Sequence, residues 1–246
     1  MIVFACVAPH GDLDLDPALR SAMEELGRRF DTAAPDAAIV VTPHNVHVEG
    51  HFAVVVAGKV RAWATGREWD TDRELAGAVL AALRNEGLPA VGISFGSNDA
   101  AGAEHPSDWG TEVPLEHLHA QRIVVVSPAR DRPLDEHVRA GRALRTLAGR
   151  HALVASADHG HAHDAEGPYG FDPAAAVYDE KLLEILGSGR LDFRPLAEHV
   201  EAGKADSLWQ LLVLQGAVGE NARTTLLAYA APTYYGMAVA EVQAAA

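Results

Sequence analysis

Three histidines stand at alternating positions in Val154-Ala155-Ser156-Ala157-Asp158-His159-Gly160-His161-Ala162-His163-Asp164, directly after an apolar run. His10, in Ala8-Pro9-His10-Gly11-Asp12, and His44, in Thr42-Pro43-His44, follow apolar runs in the same way. Histidine titrates nearest neutrality and is the commonest metal ligand, so it can carry a proton or donate to an ion. Groups of histidines at the ends of buried strands are costly to desolvate unless they are satisfied or used. The plainer alternative for the 159–163 group is a solvated loop, and a lone strand-end histidine is more often structural. Three such strand ends, two of them marked by proline, point to a metal site.

That reading needs strands whose ends meet. Ile2 to Ala8, Ala37 to Thr42, Ile123 to Ser127 and Ala152 to Ala155 are continuous apolar, β-branched runs, as expected for strands buried on both faces. Asp16-Pro17 supplies a cap and a first-turn proline for a helix to Phe30, with Leu19, Met23, Leu26 and Phe30 on one stripe. Phe52 to Ala57 and Val60 to Trp63 read as a hairpin turning at Gly58-Lys59. Asp70 or Thr71 can cap a helix reaching Glu86, and Pro89 to Phe95 reads as a strand opening a long loop to about Pro114. Further helices are expected over Leu134 to Gly149, Ala174 to Leu186 and Leu208 to Gly216, before closing runs at Thr225 to Tyr229 and Met237 to Val242. Strands alternating with helices predict an α/β fold: a central, mostly parallel sheet with helices on both faces. Such sheets bind ligands at the carboxyl ends of their strands, where His10, His44 and the 159–163 group would converge if their strands are neighbours.

The chain has 246 residues, 48% apolar and 22% charged, without linker, repeat or low-complexity tract, and is read as one domain over 1–246. The run Ala244-Ala245-Ala246 is expected to fray. With 34 acidic against 20 basic residues and a net charge of -14, nucleic acid and anionic membrane are disfavoured as partners. The single cysteine, Cys6, has no internal disulfide partner, and Met1 to Ala8 lacks a basic flank and reads as a buried strand, not a signal peptide. A cytoplasmic location is expected.

Taken together and in order, Ala8-Pro9-His10-Gly11-Asp12, Thr42-Pro43-His44 and Ser156-Ala157-Asp158-His159-Gly160-His161 resemble the class III extradiol ring-cleaving dioxygenases. That superfamily includes the catalytic subunit of protocatechuate 4,5-dioxygenase and the related Memo proteins. Asp108-Trp109-Gly110-Thr111-Glu112-Val113-Pro114-Leu115, Gly167-Pro168-Tyr169-Gly170-Phe171 and Tyr229-Ala230-Ala231-Pro232-Thr233-Tyr234-Tyr235-Gly236-Met237 extend the likeness over nearly the whole chain. The resemblance implies Fe(II) held by two histidines and a carboxylate, with positions open for substrate and O2. His10 and His44 match the histidine ligands, and His161 matches the catalytic acid/base. Asp158 would orient that region. For the third ligand Asp206, in Lys204-Ala205-Asp206-Ser207-Leu208-Trp209, fits best and Glu201 is the reserve; Asp206 is equally placed to cap a helix.

The implied activity is extradiol cleavage of a catechol- or aminophenol-type aromatic with O2, Tyr169 and Trp109 lining the aromatic pocket. The alternatives are a zinc or other divalent-metal hydrolase on the same ligands, since ligand type does not fix the metal, or a Memo-like metal-binding protein without ring cleavage. A homo-oligomer is expected, and a small capping subunit is left open. Two departures stand out. Trp109 occupies the place of a histidine that orients substrate in many members, which leaves His105 or His117 to substitute, and Ala230 replaces a common glutamate.

Gly92-Ile93-Ser94-Phe95-Gly96 matches the Gly-x-Ser-x-Gly nucleophile elbow, which requires a strand, a sharp turn and a helix; a loop is predicted after it. His47 and His51 lack the zinc-peptidase pattern and at most line a pocket. His117 and His119 read as surface positions, and His137, His151 and His199 as ordinary element-end residues. No glycine-rich phosphate loop is present.

Overall fold

A computed structural model describes residues 1–244; Ala245 and Ala246, the end of the expected tail, lie outside the described residues. The strands are β1 (Ile2–Ala8), β2 (Ala37–Val41), β3 (Phe52–Val55), β4 (Lys59–Arg61), β5 (Glu68–Thr71), β6 (Ala90–Ile93), β7 (Glu104–Pro106), β8 (Arg122–Ser127), β9 (His151–Ser156), β10 (Arg223–Ala230) and β11 (Met237–Gln243). The helices are α1 (Pro17–Ala33), α2 (Arg73–Asn85), α3 (Trp109–His117), α4 (Leu134–Arg145), α5 (Pro173–Gly187), α6 (Ala197–Gly203) and α7 (Leu208–Val218).

The strands form one mixed sheet in the order β10-β11-β1-β9-β2-β8-β5-β4-β7, with β3 and β6 branching from β8. Its centre, β1-β9-β2-β8, is parallel throughout, and every residue of β2 and β9 is buried. One apolar layer on the sheet draws on α2, α4, α5 and α7. The other draws on α1 and α3. The predicted fold class is therefore what the chain adopts. No helix among the described residues is long and apolar enough to cross a membrane.

Register positions the site. Val7 pairs with Ala155, Ala155 with Val41, and Val41 with Val126, so four strands end level at one edge. Three residues beyond that level row come His10, His44 and Asp158.

Three local expectations are corrected. The hairpin of residues 52–57 with 60–63 does not form: β3 pairs with β6 and β8, while β4 makes its hairpin with β5. A tight hairpin needs positive φ in its turn, and neither Gly58 nor Lys59 has it; the Gly58 N–H instead bonds the Ala103 carbonyl. The cap of α2 is Asp72, whose side chain accepts from the Leu75 N–H at 2.9 Å, with Thr71 still in β5. The presumed loop before Pro114 contains β7 and α3, Pro114 lying inside the helix. Gly110 and Pro114 hide that short helix from propensity reasoning, but the buried Asp108 carboxylate caps it at the Thr111 N–H. α6 was not foreseen, being seven residues long with no side-chain cap.

α4 and α7 cross in backbone contact. A methyl group built on Gly141 would meet the Val213 carbonyl, and one on Gly216 the Val138 carbonyl. Gly141→Ala is expected to cost about 1–3 kcal/mol as the helices separate, read as a lower urea midpoint. An unchanged midpoint would contradict the close crossing.

Candidate metal centre

His10 follows β1 and is buried against two partners. Its N–H donates to Asp158 Oδ1 at 3.0 Å, and its Nδ1 lies 3.0 Å from Ser156 Oγ, which leaves Nε2 facing the edge. His44 follows β2. The Thr42 hydroxyl accepts from the His44 N–H at 3.3 Å and donates to Asp108 Oδ1 at 2.6 Å. Asp206 arrives from the segment between α6 and α7. It does not cap α7, whose N-cap is Ser207 without a side-chain bond.

The three side chains meet. His10 Nε2 and His44 Nε2 are 2.9 Å apart, and Asp206 Oδ2 lies 3.7 Å and 3.3 Å from them. Among the described residues this is the one His/Cys/Asp/Glu group whose donor atoms, all within 4.8 Å of each other, could hold a metal ion. Two features suit an ion. Asp206 Oδ1 is buried with no hydrogen-bond partner, and only one proton fits between two imidazole nitrogens that face a carboxylate. Two imidazoles and one carboxylate without thiolate suit an open divalent site better than a closed tetrahedral one; Cys6 is buried in the core.

Burial opposes charge on His10, but Asp158, Asp206 and Asp108 outweigh it and raise the imidazole to about 8. Burial likewise opposes the Asp206 carboxylate, yet His10 and His44 hold it far below the ordinary 3.8. An incoming cation must displace the His10 proton. Apparent metal affinity is therefore expected to climb from pH 6.5 and level off above about 8, as a pH series of metal titrations would register. A flat profile over that range would contradict the assigned coupling.

The centre lies in a cavity of about 600 Å³ also lined by Trp109, Arg130, Asp158, His161, Tyr169, Glu201, Lys204, Tyr234 and Tyr235. The His161 Nδ1–H donates to the His159 carbonyl at 2.7 Å, leaving Nε2 as an acceptor. Aromatic rings surround it: Tyr235 at 5.7 Å and 31°, Tyr234 at 6.0 Å, and Tyr169 edge-on at 6.3 Å. Trp109 lies against His44 at 4.5 Å.

The loop carrying His161 is held from below. Buried Asp179 accepts from the Gly160 N–H at 2.8 Å, from His163 Nε2 at 2.8 Å and from the Tyr229 hydroxyl at 2.7 Å. His159, which burial keeps below the usual imidazole range, reaches Ser207 Oγ at 3.0 Å and ties this loop to the Asp206 segment.

The remaining predicted residues fall as follows. Asp158 backs His10, and Glu201 lines the cavity outside the three-residue group. His105 does not reach the cavity: it is buried behind the wall, its Nε2 donating to Asn45 Oδ1 at 2.9 Å, and Asn45 in turn donates to Asp108 Oδ2 at 2.8 Å. His117 ends α3 with its backbone against Gly27 of α1 and does not line the cavity. Neither lines the cavity beside Trp109. His47 lines a separate, neighbouring cavity. Ser94 follows β6 but no helix follows it, so the nucleophile elbow is absent. Sequence reasoning passed over Thr42, Ser156 and Arg130. Each stands at or just past the end of a central strand, as the histidines do, but its residue type does not by itself mark it.

A doubly covered α/β sheet with a two-histidine, one-carboxylate cluster at its carboxyl edge defines the class of protein. The family described as the catalytic LigB subunit of aromatic ring-opening dioxygenase matches residues 3–240, and the chain belongs to it. Protein CA_C1420 of Clostridium acetobutylicum is 24% identical over 188 residues, 70% of this chain but 40% of that protein, so this chain spans less than half of that relative. The crystal structure of uncharacterized protein JW3007 from Escherichia coli K12 superimposes with a TM-score of 0.65 at 18% identity, covering 97% of this chain and 98% of that one. At that identity the likeness speaks for the fold.

Proposed function

We propose that the protein opens the ring of a catechol- or aminophenol-type aromatic with O2, in the extradiol manner, at Fe(II) held by His10, His44 and Asp206. The observation that carries this reading is the meeting of two imidazole nitrogens and one carboxylate in a cavity whose wall carries His161. A ferrous ion held by His10, His44 and Asp206 would bind the substrate oxygens and O2 and relay electrons from the aromatic to O2.

The protein supplies the rest. Trp109, Tyr169 and Tyr234 offer faces and edges to a flat ring. His161 Nε2, fixed as an acceptor, takes the proton of a substrate hydroxyl and returns it to the opened product. Ser156 holds the His10 ring at Nδ1 and Asp158 holds the His10 backbone N–H, so that Nε2 points inward.

The test is oxygen uptake by the iron-loaded protein on a panel of catechols and aminophenols. One O2 consumed per ring-opened product is expected. Iron-loaded protein that opens no ring in the panel would contradict the reading.

A further inference from the structure

Asp179 stands on α5 with 1% of its surface exposed, on a buried helix face shared with Ala175, Tyr178 and Leu182. A carboxylate there is costly unless its oxygens are bonded, and packing alone would favour an apolar residue. Its three donors are the Gly160 N–H, His163 Nε2 and the Tyr229 hydroxyl, so none belongs to its own helix. Among the described residues its one ion-pair partner is His163. Two glycines admit this close approach. A methyl group built on Gly236 would meet Asp179 Oδ2, and one on Gly160 would meet the Ala175 backbone.

The carboxylate also reaches what surrounds His161. Tyr229 lies near the end of β10, and the residues between β10 and β11 carry Tyr234 and Tyr235, whose rings face His161. Backbone bonds lace that segment to the histidine loop. The His159 N–H donates to the Gly236 carbonyl at 2.8 Å, the Gly236 N–H to the Gly160 carbonyl at 3.0 Å, and the His163 N–H to the Tyr234 carbonyl at 3.1 Å. Asp179 therefore grips both lengths of chain at once, on either side of His161 in the loop and at the root of its aromatic neighbours. It does not line the cavity, so any effect on substrate must pass through what it holds.

We propose that Asp179 is a positioning residue for ring opening, which from α5 sets where His161 Nε2 stands against the substrate. This rests on the ring-cleavage reading. The experiment is steady-state kinetics of iron-loaded full chain on catechol, paired with amide hydrogen exchange of the metal-free proteins. Asp179→Ala is expected to lower kcat about 10–100-fold, with KM and iron stoichiometry kept and exchange faster over residues 159–163. Asp179→Asn keeps an oxygen for the Gly160 N–H and should recover part of the loss. In a His161→Ala background, Asp179→Ala should cost no further activity, because both changes remove the same function. Leu182→Ala, a cavity on the same helix face, should lower the urea midpoint and leave kcat alone. Should Asp179→Ala fail to fold, Tyr229→Phe removes one of the three bonds and should show a smaller kcat loss, again absent without His161. An unchanged kcat, or an equal loss with and without His161, overturns the positioning role alone. Iron-loaded wild type that opens no ring overturns the ring-cleavage reading and this role with it, while faster exchange in Asp179→Ala would still report the anchor.

Discussion

Replacing His161 with alanine is expected to lower kcat for ring opening by about 10²–10⁴-fold while iron binding stays stoichiometric. His161 lies outside the group of donor atoms that meet, so its loss removes a proton carrier and leaves the ligands in place. Its Nδ1–H is committed to the His159 carbonyl, so its tautomer is set before substrate arrives and Nε2 is the nitrogen left to accept. The loop has independent anchors in Asp179 and Ser207, so the backbone is expected to hold without this ring. Single-turnover kinetics on iron-loaded His161→Ala and His161→Gln would check this. Iron lost from both variants would move His161 into the ligand set, and an unchanged kcat would remove it from the chemistry.

Asp206→Asn is the second large effect. The amide keeps the shape of the carboxylate but brings no charge, so Fe(II) affinity is expected to fall by about two orders of magnitude or more. The metal-free protein changes in a way that can be read without any iron. In wild type, Asp206 is held far below 3.8, so its contribution is present above that pH and is lost as pH falls. His10 is raised to about 8, so its contribution is present below 6.5 and is lost as pH rises through about 8. The contribution of this pair to the metal-free protein is thus greatest between these limits. In Asp206→Asn both flanks should flatten, since the acid partner is gone and His10 loses part of what raised it. Urea midpoints measured at intervals from pH 3 to 9 would show it; identical profiles for the two proteins would contradict the coupling of Asp206 to His10.

Much of this arrangement can be read from the chain. Runs such as Ala37 to Val41 can hardly be other than buried strands, and Asp16-Pro17 and Asp172-Pro173 write helix starts into the sequence. Histidines just past three such strands, two of them preceded by proline, make the candidate site visible as well. Pairing is harder to see. Residues 52–71 contain two apolar runs and a glycine, the pattern of a hairpin, yet the branch of the sheet at β8 is decided by partners far along the chain. α3 stays hidden for a similar reason, since its stability comes from a buried carboxylate bonded to Thr42 and Asn45, not from helix propensity. The roles of His105 and Arg130 are also tertiary. A histidine on a short edge strand and an arginine in a loop have no distinguishing local pattern, and only the folded sheet turns one towards Asn45 and the other into the cavity.

On the proposed reading, three distant segments, around residues 10, 44 and 206, hold one metal ion. Anaerobic Fe(II) titration of wild type beside His44→Ala tests it most directly. One equivalent bound tightly by wild type and lost in the variant, with both proteins folded alike by circular dichroism, is the predicted result. Iron bound equally by both proteins, or by neither, would contradict the claim that this cluster is the metal centre.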